Sequence, residues 1–162
     1  MNEAIPELSY EDFVRARKLH WKQEAKSLGD DVVLPVFENV ETGPNDSNFI
    51  LCSPGLPGVL GVFEDASETG WLYLYDVAQK RILRCTHVYN RANVAVQADE
   101  VDIGWAADDL VCGLAVWGQF RAFLGIRNNL EMRKPIATPD EPGILAQDWP
   151  PGFEHYLDKK LD

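Results

Sequence analysis

Three cysteines and three histidines are all that the 162 residues contain, and none of His20, His87 and His155 has a second histidine three or four positions away. The local ligand spacings from which zinc sites are built are therefore missing. Cys52, Cys85 and Cys112 are odd in number and sit among apolar residues, which suits buried thiols in a reducing compartment better than a disulfide framework. Basic residues are also scarce. Fifteen Lys and Arg against 26 Asp and Glu leave a net charge of −11, which excludes the counterion-releasing surface that binds nucleic acid or an anionic membrane. No apolar run reaches the length of a membrane span, and the opening M-N-E-A-I-P-E has no basic region followed by an apolar stretch, so a cytoplasmic protein is expected. Glycine-rich phosphate loops, dinucleotide fingerprints and a G-x-S-x-G around Ser53 are absent as well. No cofactor and no metal are expected.

What is present, 46% hydrophobic and 25% charged residues, suits one domain over residues 1–162. The acidic excess is uneven: residues 31–80 carry −7 and residues 136–162 carry −4, while residues 81–135 carry +1. An electrostatic partner surface is expected in the acidic segments, and a basic protein is the natural partner.

The chain opens with an α-helix over residues 9–28, where Ser9 can cap and Glu11 and Asp12 favour the positive helix end. Tyr10, Phe13, Val14, Trp21, Ala25 and Leu28 recur at helical spacing, with Arg15, Lys18, Lys22 and Lys26 on the remaining surface. From there to residue 127 short apolar runs alternate with Gly, Pro, Asn and Asp, the punctuation of β-structure. Strands are predicted over residues 32–40, 49–52, 82–90, 101–106, 110–117 and 120–126, with a turn over residues 41–48. The last three strands are close enough for tight hairpins, hence an antiparallel meander. The strand at 110–117 is apolar on both sides and needs cover from another layer, for which the N-terminal helix is the candidate. The expected fold is thus α+β: a mainly antiparallel sheet over residues 32–127 covered by the helix. The tail, residues 134–162, is rich in Pro and acids, and Trp149 and Phe153 are expected to dock it on the domain.

The stretch around which this pattern turns is V-L-G-V-F-E-D-A-S-E-T-G-W-L-Y-L-Y-D, Val59 to Asp76, a β-hairpin with an acidic turn. Glu64 and Asp65 point to opposite faces if the strand persists, which leaves Asp65 and Glu68 as the acidic pair at the hairpin end. Trp71, Tyr73 and Tyr75 share one face, as a core stripe or an aromatic platform. Cys85 and His87 lie two apart on one strand face, where a Cys–His pair could activate a thiolate and a histidine edging the core is the plainer alternative.

The run Gly61-Val62-Phe63-Glu64-Asp65, followed by Glu68-Thr69-Gly70-Trp71 and Tyr73, resembles the signature F-E-D-D-G-E-T-G-Y-F-Y of the uncharacterised bacterial family DUF2251. Ala66-Ser67 replaces Asp-Gly at the turn, and Trp71 replaces the first Tyr. The meander from Trp105 to Ile126 is also similar. The resemblance implies a compact bacterial domain with no assigned chemistry, and by analogy with small acidic immunity proteins a role in neutralising a toxin. Three classes of function stay open. The first is stoichiometric binding of a basic protein, a candidate secreted toxin, through Glu64, Asp65, Glu68, Trp71, Tyr73 and Trp149, with Asp46 and Asp76 as neighbours. The others are a housekeeping interaction module, and a hydrolase using Asp65, Glu68 and His87.

Overall fold

The computed structural model describes residues 8–28, 47–56, 58–66, 69–90, 96–127, 129–136, 138 and 140–157. The predicted strand at 32–40, residues 41–46 of the predicted turn at 41–48, Asp46 and Glu68 lie outside the described residues, while residues 47 and 48 of that turn belong instead to a strand.

The first element is α1, Tyr10–Leu28. Ser9 starts it: its carbonyl accepts from the Phe13 N–H at 2.9 Å, and its hydroxyl lies 3.4 Å from the Asp12 N–H. Glu11 and Asp12 place negative charge on the first turn, where the helix dipole favours it.

Among the described residues eight strands follow, in two separate four-stranded sheets rather than the single sheet expected from residues 32–127. The first sheet consists of β1 (Ser47–Pro54), β2 (Val59–Ala66), β3 (Thr69–Asp76) and β4 (Arg81–Asn90). The second consists of β5 (Val101–Trp105), β6 (Val111–Val116), β7 (Gln119–Gly125) and β8 (Glu131–Arg133). All strand pairs are antiparallel and the order within each sheet is the chain order. The Trp117-Gly118 turn between β6 and β7 has φ of 56° and 76°, the left-handed conformation that matches strand twist in a two-residue hairpin.

The division into two sheets follows from the period-2 apolar pattern. Phe63, Leu72, Leu74 and Val88 on one side and Trp105, Cys112, Leu114, Val116 and Leu124 on the other form one buried cluster, the filling of a sandwich. The sheets approach closely at Gly61, where a Cβ would stand 2.6 Å from the Cys112 Sγ. They are also joined along the β4 and β8 edges. Thr86 donates to Glu131 at 3.0 Å, and an isolated parallel bridge links Tyr89 to Ile136.

Each sheet then has an outer face. On the first, Phe13 and Ala16 of α1 cluster with Leu60, Val62, Tyr73, Tyr75 and Ile82, and Phe13 stands edge-on to Tyr73 at 5.4 Å and to Tyr75 at 5.7 Å. On the second, Ile144 and Phe153 of the C-terminal segment cluster with Val111, Ala115, Phe120 and Phe123. The two-sided apolarity of residues 110–117 is real, since all six residues of β6 are buried. Its cover is a correction to expectation: the first sheet lies on one side of β6 and the C-terminal segment on the other, while α1 packs on the opposite sheet. Arg121, buried in β7, fixes that segment by donating to the Glu141 carbonyl at 2.6 Å. Burial lowers its pKa from the ordinary value, against the raising effect of Glu141.

Candidate functional site

The acids of the hairpin are not displayed on the surface. Strand β2 persists through Ala66, so Glu64 and Asp65 point to opposite faces, and both are 0% exposed. Glu64 faces α1 and forms an ion pair with Arg17, itself 0% exposed. Asp65 faces the sandwich interior and accepts a hydrogen bond from the Tyr89 hydroxyl. Tyr73 is also 0% exposed, beneath Phe13. These three residues are therefore core positions, a correction to their expected place on a partner surface. A buried carboxylate persists only when paired and hydrogen-bonded, and Arg17 and Tyr89 supply that.

Cross-strand register arranges the remaining groups on the helix-facing side. Glu64, Trp71 and His87 form one row across β2, β3 and β4, and Val62, Tyr73 and Cys85 form the next. Trp71 is half-buried, its indole N–H donates to the Thr69 hydroxyl at 2.8 Å, and its ring lies 5.1 Å from that of His87. The Cys85 thiol lies 3.4 Å from His20 Nε2 on α1. Sequence distance hid this contact, since 65 residues separate the pair. The signal available was helical: Phe13, Arg17 and His20 fall at i, i+4 and i+7, one face of α1. Asp65 and His87 occupy opposite faces of the first sheet, which breaks up the predicted hydrolase set of Asp65, Glu68 and His87. Among the described residues no three His, Cys, Asp or Glu side chains gather as a metal site.

The other two cysteines are set by burial. The Cys112 thiol, fully buried between the sheets, has its pKa pushed far above the ordinary 9.0 by desolvation, and Cys52 is raised for the same reason.

A second constellation lies on the outer face of the second sheet. Asp102 and Gly104 of β5, Ala115 of β6, Phe120 of β7 and the rings of Trp149 and Tyr156 line a groove of about 470 Å³. Trp149 is half-buried, held edge-on to Phe120 at 5.1 Å, and its indole N–H donates to the Ile144 carbonyl at 2.9 Å. Gly104 is required here, because a Cβ would stand 2.6 Å from the Tyr156 hydroxyl. That hydroxyl accepts from the Trp105 N–H at 3.2 Å. Asp102, exposed, is the one charged residue among the described residues that line the groove. Trp71 and Trp149 thus lie on the outer faces of different sheets and do not share one surface. No described helix is long and apolar enough to cross a membrane.

Compared with known proteins, residues 56–142 match a family model described as an uncharacterized protein conserved in bacteria (DUF2251). No curated protein and no solved structure matches the chain. The matched span runs from the turn before β2 through β8 and leaves out α1, β1, Trp149 and Tyr156.

Proposed function

The chain belongs to the DUF2251 family of bacterial proteins, and from that premise we propose that it acts by stoichiometric binding to a basic protein, as an immunity protein neutralising a secreted toxin would. The observation that carries this reading is the groove beside Asp102, where a carboxylate and the half-buried rings of Trp149 and Tyr156 meet solvent together. Desolvated aromatics hold interfaces, and complementary charge accelerates encounter and selects the partner. In this reading α1 serves as a cover over the first sheet and leaves the binding face to the second. Of the residues expected at the interface from sequence, Trp149 is retained and Asp102 and Tyr156 are added.

The full chain, tagged and returned to its native cytosol, is expected to retain one protein at a one-to-one ratio, with an association rate that falls as salt rises. Retention of nothing, together with turnover of a small substrate by the isolated chain, rejects binding. The identity of the captured protein separates a toxin from a housekeeping partner. A catalytic reading has one observation in its favour, the contact between Cys85 and His20. It requires that Cys85→Ser abolish a turnover that the intact chain displays.

A further inference from the structure

The open edge of β5 adds a feature to the groove. β5 ends the strand order of its sheet, with β6 on one side and no described strand on the other. Its bonds to β6 are bracketed by Trp117 N–H to Glu100 C=O and Ala106 N–H to Val111 C=O, both 2.9 Å. Even-numbered residues therefore bond inward, and the backbone groups of Val101, Ile103 and Trp105 are aimed at the open edge. Tyr156 meets the Trp105 N–H there. The backbone of Ile103 remains directed outward beside the groove, flanked by the carboxylate of Asp102.

We infer that an extended segment of the basic partner adds as a strand to this edge, bonding the Ile103 backbone and setting a Lys or Arg side chain in the groove against Asp102 and the rings of Trp149 and Tyr156. This rests on the binding reading above and names how the partner is held. Strand addition draws affinity from main-chain bonds and specificity from alternate side chains. The added residue opposite Asp102 points its side chain to the same face as Asp102, which is the groove face, because paired residues share a side of the sheet. A cation there meets a carboxylate and aromatic ring faces together. Charge selects this occupant over a second copy of the chain: two β5 edges would bring Asp102, with Asp99 and Glu100 just before it, against the same acids. Like charges across an interface disfavour that pairing.

The test is an NMR titration of the isotopically labelled full chain with two synthetic peptides, acetyl-Thr-Val-Arg-Val-Thr-amide and the same peptide with Glu at its centre. The Arg peptide is expected to shift the amides of Val101–Trp105 and the Trp149 indole N–H, and to bind roughly tenfold more tightly than the Glu peptide. Asp102→Asn is expected to remove that preference. Ile103→Pro deletes the edge N–H without touching the bonds to β6 and is expected to weaken both peptides. Equal binding of the two peptides, shifts centred elsewhere, or indifference to Asp102→Asn would overturn the inference, and that conservative variant keeps the test valid if Ile103→Pro does not fold. A partner captured equally by wild type and by Asp102→Asn would remove the edge site and leave the binding reading standing. Failure to capture any partner would remove the binding reading, while the peptides still decide the edge.

Discussion

Arg17 on α1 and Glu64 on β2 form an ion pair closed off from water, with side chains 0% and 1% exposed. It lies in the same layer as the Phe13–Tyr73 contact, so an apolar cluster and a buried charge pair together fix how the helix sits on the first sheet. The two differ in what they contribute. Apolar area stabilises in proportion to its extent, whereas a buried pair roughly offsets its own desolvation and penalises any register in which one partner is left alone.

Removing one partner is therefore expected to cost much more than removing both. Arg17→Met or Glu64→Leu alone should lower unfolding free energy by about 3–5 kcal/mol, and the double variant by much less than the sum. Urea denaturation followed by circular dichroism reads this. A single substitution costing under about 1 kcal/mol would show that water reaches the pair.

At the Gly61–Cys112 approach, Gly61→Ala forces a methyl to 2.6 Å from the sulfur and is expected to cost about 1–3 kcal/mol by overpacking. Adding Cys112→Ala should return a large part of that loss. Strict additivity of the two changes would mean that the sheets separate there rather than collide.

Much of this architecture was legible in the sequence, and the parts that were not share a cause. The hairpin through Val59–Asp76, the strands near 82–90, 101–106, 110–117 and 120–126, and antiparallel pairing all followed from period-2 alternation and short turns, which are local signals. The split into two sheets was not legible, because alternation says which side chains share a face and not which face meets which. The fate of Glu64 and Asp65 was hidden for the same reason. Their partners, Arg17 and Tyr89, are 47 and 24 residues away, and an acid next to a turn looks solvated until those partners are placed. Short β8 carried too few residues to register as a pattern. Trp149 and Tyr156 of the Asp102 groove come from the C-terminal segment, whose seat on the second sheet no local periodicity encodes.

The Cys112 thiol makes stability depend on pH in a set direction. Its folded pKa is raised, so the folded state holds the proton that the unfolded chain releases above the ordinary value of 9.0. The stabilising contribution is complete below that pH and declines as pH rises above it, by up to about 1.4 kcal/mol per pH unit for one proton. Cys112→Val should flatten the alkaline limb of the stability profile relative to wild type. In native protein Cys112 should also react with a thiol reagent after Cys52 and Cys85, which are partly exposed. Rapid labelling of Cys112 below the unfolding transition would contradict its burial.

Phe153, 1% exposed and 4.8 Å from the ring of Phe123, anchors the C-terminal segment on the second sheet. Phe153→Ala is expected to cost about 3–5 kcal/mol and to speed limited proteolysis within residues 134–157. Cleavage no faster than wild type would mean that Ile144 and Arg121 hold the segment without it.

Strand order that equals chain order also bears on how the chain reaches this structure. Each of the six strand pairings closes between neighbours in sequence, so the loop entropy spent on every ladder is small and each sheet can nucleate from a hairpin on its own. Beyond docking α1 and the C-terminal segment on the outer faces, the long-range search consists of bringing two preassembled faces together at Gly61 and Cys112 and along the Tyr89–Ile136 bridge. Folding speed should then answer to substitutions at that seam far more than to changes within either ladder.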